Sequence, residues 1–372
     1  MNVGIAVHRY DAGEGTGGYV AELLPRLAHI HRMTLYAARV VAPVPAGVTV
    51  VRVPAVMWRS YTAILSFPAA LRAVRRPHDL FHANGWVTGS ADVVTAHIVL
   101  AAWRAAARAA HVATPWGERT LGGFVQAREA ALLRRARRVI APSEKVAAEI
   151  ARYYGRRDGV TVVHHGFPDV AGEADLPSGH PPASSGTPAS SASRAALGLP
   201  ADATIALFVG DLRKGFDVAL EAVRRTPGVR LAVVSHSPVA PMRARAAAAG
   251  VLDRVHWMGE LPSAETAYEA ADVLLHPTIY DAFGLVVAEA MAHGVPPVVT
   301  RAAGVAELIR HGESGWIVEG DPRDGTAAAL QALVSDRALR ERLGAGARAV
   351  AATRTWDDVA RETLAAYAEV AL

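Results

Sequence analysis

Short apolar runs alternate with longer stretches of helical periodicity along the first half of the chain. Apolar runs of strand length cover residues 3–7, 33–37, 48–53, 80–82, 93–95, 139–141 and 160–163. Helical patterns lie between them at residues 19–28, 63–75, 126–137 and 144–154. Strands that alternate with helices in this order predict βαβ units and a parallel sheet.

The second half repeats this organisation. Its predicted strands cover residues 205–209, 231–234, 255–258, 273–276, 297–299 and 315–317. Its predicted helices cover residues 217–225, 241–248, 264–270, 285–292, 304–311 and 326–335, and an amphipathic helix follows at 356–370. The pattern therefore predicts two α/β domains of similar architecture.

The segment between the two halves, residues 169–196, is rich in Pro, Ser, Gly and Ala and has no apolar periodicity. Such a segment buries too little surface to order itself, so we predict a flexible linker that is disordered at 176–193. The predicted domains are then 1–168, joined by the last helix at 356–372, and 197–355.

Composition narrows the class of protein. The chain has 372 residues, of which 51% are hydrophobic and 20% charged, enough for two globular cores. It lacks cysteine, which excludes disulfides and thiolate metal sites. The formal net charge is +4 and the isoelectric point about 9.5. We interpret this as a bias towards arginine; a site for a phosphate-bearing ligand is the alternative.

Hydropathy favours a cytoplasmic protein. An apolar strand follows Met1 without a basic leader, and no apolar run reaches the length of a spanning helix. Residues 57–76 mix apolar side chains with arginines, which is typical of an ordinary amphipathic helix. Peripheral contact with an anionic membrane surface is the alternative for this segment.

A glycine-rich segment follows the first predicted strand. Gly13, Gly15 and Gly18 satisfy G-x-G-x-x-G, but they stand apart from the strand, and no acidic residue follows at the distance of a ribose contact. A nicotinamide cofactor is therefore disfavoured, although an NADP version that uses Arg39 stays open. We interpret the segment, with Gly17, as a loop that admits a ligand close to a helix N-terminus.

The strongest signal is HPTIYDAFGLVVAEAMAHGVPPVVT, residues 276–300. A strand ends at His276, a loop carries Asp281, and a helix then contains Glu289. Open α/β sheets bind ligands at the carboxyl ends of their strands, and amides at a helix N-terminus suit a phosphate. Asp281 and Glu289 would bracket a ligand with hydroxyls at both ends, such as a nucleotide sugar. A solvated Glu289 is the alternative, but its neighbours are apolar almost all round.

This segment resembles the D/E-x7-E signature of retaining glycosyltransferases of the GT-B fold, especially glycosyltransferase family 4. The resemblance implies two Rossmann-like domains with parallel sheets that face a central cleft. It places Glu289 on the donor ribose and Asp281 beside the sugar hydroxyls, where the family usually has Glu. The donor loop implied by the resemblance consists of Phe283, Gly284 and Leu285.

The resemblance extends to FVGDLRKGFD, residues 208–217. Arg213 and Lys214 match the cations that hold the donor diphosphate and stabilise its charge as it leaves. The family often has Arg directly after the strand glycine, and here that residue is Asp211, which leaves Arg213 to supply the guanidinium. Two exposed turn charges are the alternative interpretation.

The first half carries weaker matches. Gly17 and Gly18 match the family's N-terminal glycine loop, and His97 matches a histidine that faces the reacting sugar. A satisfied strand-end histidine is the alternative for His97. His165 stands where the family usually has Asn. The resemblance thus implies that His97, Arg213, Lys214 and Asp281 are catalytic.

The predicted function is retaining, metal-independent transfer of a sugar from a nucleotide-diphosphate sugar, of UDP or GDP type, to a small-molecule, saccharide or lipid-linked acceptor. The first domain would bind the acceptor and the second the donor. No D-x-D pair occurs to hold a metal on the diphosphate, and neither a cofactor nor a nucleic acid is expected. A GT-B epimerase or phosphorylase, or a nucleotide-sugar-binding protein without transferase activity, are the alternatives.

Overall fold

The computed structural model describes residues 1–13, 15–57, 60–113, 116–170, 190–261 and 263–371. The chain divides into two compact units. Met1–Gly166 and Trp356–Leu372 form the first domain, and Phe167–Thr355 form the second.

The first domain contains a seven-stranded parallel sheet with the order β3-β2-β1-β4-β5-β6-β7. Its strands are β1 Asn2–Tyr10, β2 Arg32–Val40, β3 Thr49–Arg52, β4 Leu80–Asn84, β5 Val93–Thr95, β6 Arg138–Ala141 and β7 Val160–Val162. Its helices are α1 Gly15–Ala28, α2 Ser60–Val74, α3 Leu100–Ala109, α4 Trp116–Arg135 and α5 Glu144–Tyr154. The central strands are buried and almost uniformly apolar, as expected of parallel strands covered on both faces.

The last helix of the chain, Trp356–Ala371, belongs to the first domain. Near its start, Asp357 Oδ1 lies 2.6 Å from Arg26 Nε of α1. Further along, the hydroxyl of the buried Tyr367 lies 2.8 Å from Nδ1 of His82 in β4. The end of the chain therefore completes the core of the domain with which the chain begins.

The second domain contains a six-stranded parallel sheet with the order β10-β9-β8-β11-β12-β13. Its strands are β8 Thr204–Val209, β9 Val229–Val234, β10 Val255–Gly259, β11 Val273–His276, β12 Pro297–Thr300 and β13 Trp316–Val318. Its helices are α6 Ser191–Ala196, α7 Phe216–Arg225, α8 Ala240–Ala248, α9 Glu265–Ala270, α10 Leu285–Ala292, α11 Pro322–Ser335 and α12 Arg337–Ala351; the final helix of the chain is α13.

The strand order of this second sheet reverses between β8 and β11. Loops at such a reversal diverge to opposite faces of the sheet and leave a crevice for a ligand. The loop after β8 ends at Gly215, whose φ is +106°, and a Cβ there would overlap the carbonyl oxygen of Pro277 in the loop after β11. Glycine at this position lets the two loops pack directly against each other.

Several helix predictions differ from the structure. Helix α4 begins at Trp116, ten residues before the predicted start at residue 126. Helix α3 was not predicted because its sequence, LAAWRAAARA, is so rich in alanine that its apolar face is weakly marked. Helix α12 was not predicted because it contains Gly344 and Gly346, which are poor helix formers. A Cβ at Gly344 would overlap the carbonyl oxygen of Gly294, and one at Gly346 that of Glu313, so close packing explains both glycines. The helix predicted at 304–311 is a short 3₁₀ helix, Gly304–Leu308.

The prediction of a flexible linker at residues 169–196 is wrong at the C-terminal end of this segment. Residues 171–189, and with them most of the segment predicted to be disordered, lie outside the described residues, but Ser191–Ala196 forms α6. The hydroxyl of Ser190 caps this helix by accepting from the Ser193 amide. The buried guanidinium of Arg194 donates to the carbonyls of Ala201, Ala203 and Ala270 and to Asp272. These charge-assisted bonds fix a segment whose composition alone indicates a flexible chain.

None of the helices in the described part of the chain combines the length and the apolar character that crossing a membrane requires.

Candidate active site

Lys214 and Asp281 meet where the strand order of the second sheet reverses. Lys214 Nζ lies 3.1 Å from Asp281 Oδ2, and Nε2 of the buried His276, the last residue of β11, lies 3.5 Å from the same oxygen. Burial alone would raise the pKa of Asp281, but the charge of Lys214 and the contact with His276 outweigh it and hold that pKa well below its usual range. Asp281 is therefore an ionised carboxylate at neutral pH.

Arg213 is paired with its own neighbour in the loop. Its Nη2 lies 2.7 Å from Asp211 Oδ2, and its amide donates to Asp211 Oδ1 over 2.9 Å. Burial opposes ionisation of Asp211, but these bonds and the nearby positive charges lower its pKa overall. The structure thus places a carboxylate against the guanidinium that the sequence assigns to the diphosphate.

The loop that carries Asp281 is tied to the segment after β12. The Asp281 amide donates to the Ala302 carbonyl over 2.9 Å, and the Val305 amide donates to the Phe283 carbonyl over 2.8 Å. Phe283 is buried, and Gly284, with φ at +104°, turns the chain into α10, which begins at the half-buried Leu285. The first amides of a helix point out of its N-terminus, so the start of α10 is suited to an anion.

Glu289 lies in the second turn of α10. Its Oε2 accepts a hydrogen bond of 2.6 Å from the hydroxyl of Tyr268 in α9. Burial raises the pKa of Glu289, and the hydrogen bond from Tyr268 offsets only part of that rise. The two carboxylates of the motif are therefore shifted in opposite directions, because Asp281 has a cationic partner and Glu289 a neutral one.

His97 follows β5 in the first domain. Its Nε2 lies 3.1 Å from Asn84 Oδ1, and its ring lies 4.8 Å from the ring of Tyr19, which also contacts the rings of His165 and Trp356. Burial lowers the pKa of His97 to about 3, so its imidazole is neutral at physiological pH. His97 thus has a hydrogen-bonding partner and aromatic neighbours, as the alternative of a satisfied strand-end histidine requires, and its catalytic role stays a prediction.

Gly17 and Gly18 lie in the first turn of α1 rather than in a loop, because this helix begins at Gly15. A Cβ at Gly17 would lie 2.6 Å from the carbonyl oxygen of Asp11, and one at Gly18 would lie 2.9 Å from that of Ala12. The structure gives both glycines a packing reason. A role for them in binding the donor stays a prediction.

Sequence reasoning missed two contacts of this site. The contact of His276 with Asp281 and that of Tyr268 with Glu289 join residues from different elements, which no local pattern indicates. Lys214 was predicted from its motif; Lys145 and Lys214 are the lysines of a chain that otherwise uses arginine. Among the described residues, His, Asp and Glu form no group of three or more that could hold a metal ion.

Comparison with known proteins identifies the family. The family model described as "Glycosyl transferases group 1" matches residues 190–350, and the model described as "Glycosyltransferase Family 4" matches residues 13–169. A D-inositol 3-phosphate glycosyltransferase of Xylanimonas cellulosilytica is 32% identical over 96% of this chain and 92% of its own length. One of Streptomyces griseus is 30% identical over 96% of this chain and 84% of its own length.

The chain belongs to the group 1 glycosyltransferases of family 4. It is accordingly a transferase enzyme, as the sequence predicted.

Solved structures show the same fold. WaaG, a glycosyltransferase involved in lipopolysaccharide biosynthesis, superposes with a TM-score of 0.78 at 20% identity, over 97% of this chain and 98% of its own. Sucrose-phosphate synthase of Thermosynechococcus elongatus gives a TM-score of 0.79 at 20% identity, over 99% and 98%. The predicted GT-B fold, with two Rossmann-like domains and parallel sheets, is confirmed.

Proposed function

We propose that this glycosyltransferase takes its sugar from a nucleotide-diphosphate sugar, of UDP or GDP type, and transfers it with retention of anomeric configuration. The observation that supports this most directly is the contact between Lys214 and Asp281, 3.1 Å long, beside the N-terminus of α10. A cation, an ionised carboxylate and a set of helix amides together suit a ligand that combines phosphates with sugar hydroxyls.

We assign each chemical group of the donor to residues at the crevice where the strand order reverses between β8 and β11. Lys214 and the amides at the start of α10 bind the diphosphate, and Arg213 adds a second cation. Asp281 accepts hydrogen bonds from hydroxyls of the sugar, because it is ionised and acceptor-only. Glu289 accepts hydrogen bonds from the ribose. Lys214 then lies between Asp281 and the incoming phosphate.

The leaving diphosphate gains negative charge as the glycosidic bond breaks, and the side chains of Lys214 and Arg213 stabilise that charge. The proposal needs no metal ion for this step, since the protein supplies cations of its own. A catalytic role for His97 stays a prediction of the sequence; its imidazole is neutral and would not repel positive charge on a sugar.

We propose a front-face path for retention. A double displacement requires a carboxylate nucleophile on the sugar face opposite the leaving group. Asp281 is held beside Lys214, on the phosphate side of the loop, and is therefore assigned to sugar hydroxyls. The departing diphosphate oxygen takes the proton of the acceptor hydroxyl, which then attacks from the same face.

Two measurements test this mechanism. NMR of the first-formed product should show the anomeric configuration of the donor, and an inverted product would reject retention. Mass spectrometry should find no sugar ester on Asp281; a trapped ester would keep retention and reject the front-face path. Turnover that persists in excess EDTA is expected, and its loss would reject metal independence.

The acceptor class that we propose is a phosphorylated cyclitol. Its support is the name of the two relatives, D-inositol 3-phosphate glycosyltransferase, which match nearly the whole chain. Each of the common nucleotide-diphosphate sugars should be assayed with D-inositol 3-phosphate and with unphosphorylated inositol. Turnover with the phosphorylated compound alone is the expected result, whereas turnover with neither, alongside transfer to another saccharide, would reject this acceptor.

A further inference from the structure

Tyr268 is a buried tyrosine that the sequence motif does not include. It lies in α9, and its hydroxyl donates to Glu289 Oε2 in α10 over 2.6 Å. His293 packs against the Tyr268 ring, with 5.3 Å between ring centroids, and its Nδ1 lies 2.9 Å from the Glu289 carbonyl oxygen. Glu289 is thus held from a neighbouring helix as well as within its own.

We propose that Tyr268 is a positioning residue for the donor ribose, an inference that rests on the proposed role of Glu289. The Tyr268 hydroxyl engages Oε2 and so fixes the carboxylate plane. Oε1 is then the oxygen presented to the ribose hydroxyls. A carboxylate with one oxygen already held loses less rotamer freedom when it binds a ligand, so the ribose contact forms at a smaller entropic cost.

Tyr268 also favours the ionised form of Glu289. Burial raises the pKa of this carboxyl, the hydrogen bond from Tyr268 and the charge of His293 lower it, and Glu265 raises it. An ionised carboxylate accepts stronger hydrogen bonds from hydroxyls than a protonated one. Removal of the Tyr268 hydroxyl should therefore raise the pKa of Glu289 further and weaken the ribose contact, most strongly on the acidic side of neutrality.

The decisive experiment is calorimetric titration of the full-length protein and its Tyr268→Phe variant with UDP, GDP, ADP, CDP and dTDP between pH 5 and 8. The nucleotide that binds the wild type best should bind the variant roughly ten-fold more weakly at neutral pH, the size of one hydrogen bond to a charged group. The midpoint at which affinity falls on acidification should move to higher pH. A merely structural tyrosine would not move that midpoint.

Glu289→Gln shows whether Tyr268 acts through Glu289. The single variant should lose affinity and its acid-side pH dependence, and Tyr268→Phe added to it should cause little further loss. Losses that simply add would overturn the proposal. Tyr36→Phe is the matched control, because it removes a buried hydroxyl 2.8 Å from His78 in the first domain, and its affinity should equal that of the wild type.

Failure of this inference and failure of the proposed function give different results. A wild type that binds a nucleotide, with Tyr268→Phe unchanged in affinity and midpoint, overturns the role of Tyr268 and leaves the function standing. A wild type that binds none of the five overturns both. Should Tyr268→Phe not fold, 3,5-difluorotyrosine at position 268, a stronger donor of similar size, should lower the midpoint; an unchanged midpoint would overturn the proposal.

Discussion

The two domains have the same architecture but different chemistry at the carboxyl ends of their strands. In the second domain, opposite charges meet: Lys214 with Asp281, and Arg213 with Asp211. In the first domain, the corresponding edge carries an aromatic cluster formed by Tyr19, His97, His165 and Trp356, and an ion pair between Arg9 and Asp11 lies at the end of β1. A shared fold therefore leaves the choice of ligand to the few side chains at the strand ends.

The pKa values of ionisable groups in these two environments shift in different ways. Asp281 is partly buried beside a cation, and its pKa falls well below the usual range. In the first domain, desolvation dominates at the partly buried His97 and at the buried Glu129, and their pKa values move to about 3 and about 7, towards the neutral form in each case. A cationic partner thus keeps the carboxylate of Asp281 charged in the second domain, whereas burial favours the neutral forms of His97 and Glu129 in the first.

The largest expected effect comes from the charged edge. In the proposed mechanism, Lys214→Ala removes a cation from the leaving diphosphate; it also leaves Asp281 without its closest positive partner. Because charge develops on the diphosphate in the transition state, kcat should fall by about 100- to 1,000-fold and KM should change less. Steady-state kinetics with the true donor measures both.

Lys145→Ala is the matched control for that variant. Lys145 forms an ion pair of 2.9 Å with Glu149 on α5 of the first domain. Its kcat should stay within a factor of two of the wild type, since Lys145 is assigned no role at the donor site and an i,i+4 helix pair contributes only about 0.5 kcal/mol to stability. A pure KM effect in Lys214→Ala would reject the catalytic role of Lys214.

Glu129 tests the comparison in the first domain, where burial favours the neutral form of a carboxyl group. Its Oε2 accepts from the Tyr154 hydroxyl and, over 2.8 Å, from the Leu100 amide at the start of α3. Burial raises its pKa from 4.5 to about 7. Between these two values the unfolded chain has lost the proton that the folded protein keeps, so the contribution of Glu129 to stability falls as pH rises.

Glu129→Gln should remove this pH dependence. The free energy of unfolding of the wild type should decline relative to that of the variant between about pH 4.5 and 7, by up to about 3 kcal/mol, since one pKa unit corresponds to about 1.4 kcal/mol. Urea unfolding at several pH values measures the difference. Parallel curves for the two proteins would contradict the raised pKa.

Arg213 should matter less than Lys214. Its side chain is largely exposed and already paired with Asp211, so its charge is partly balanced before the donor binds. We expect Arg213→Ala to lower kcat by roughly ten-fold, with a smaller change in KM. Arg224→Ala, which breaks a similar exposed pair with Glu221 on α7, is the control. Equal losses in both variants would reject a specific role for Arg213.

The smallest expected effect concerns His97, which should show no protonation change near neutral pH. With a pKa of about 3, His97 should stay neutral from pH 5 to 8. Imidazole NMR signals assigned to His97, by comparison with His97→Gln, should not shift across that range. A transition within it would show that the aromatic cluster of the first domain can carry charge, which would break the contrast between the two domains.

Much of the fold could be predicted because the sequence marks parallel strands clearly. Apolar runs such as β11 and the helix that follows it, Leu285–Ala292, were predicted with their observed bounds, since a buried parallel strand is uniformly apolar and Gly284 marks the turn. Helices α3 and α12 were missed where alanine and glycine obscure the apolar face. No local sequence pattern predicts the order of the strands in each sheet.

The sequence by itself determined the family, the two α/β domains and the chemical types at the site, because motif residues such as Asp281 and Glu289 keep fixed spacing along one loop and helix. Only the tertiary structure decided the partners of those residues. Tyr268 reaches Glu289, and Lys214 reaches Asp281, across elements that are distant in sequence. These contacts set the charge state of each carboxylate, because burial and the nearest charge, rather than residue type, decide which form is stable.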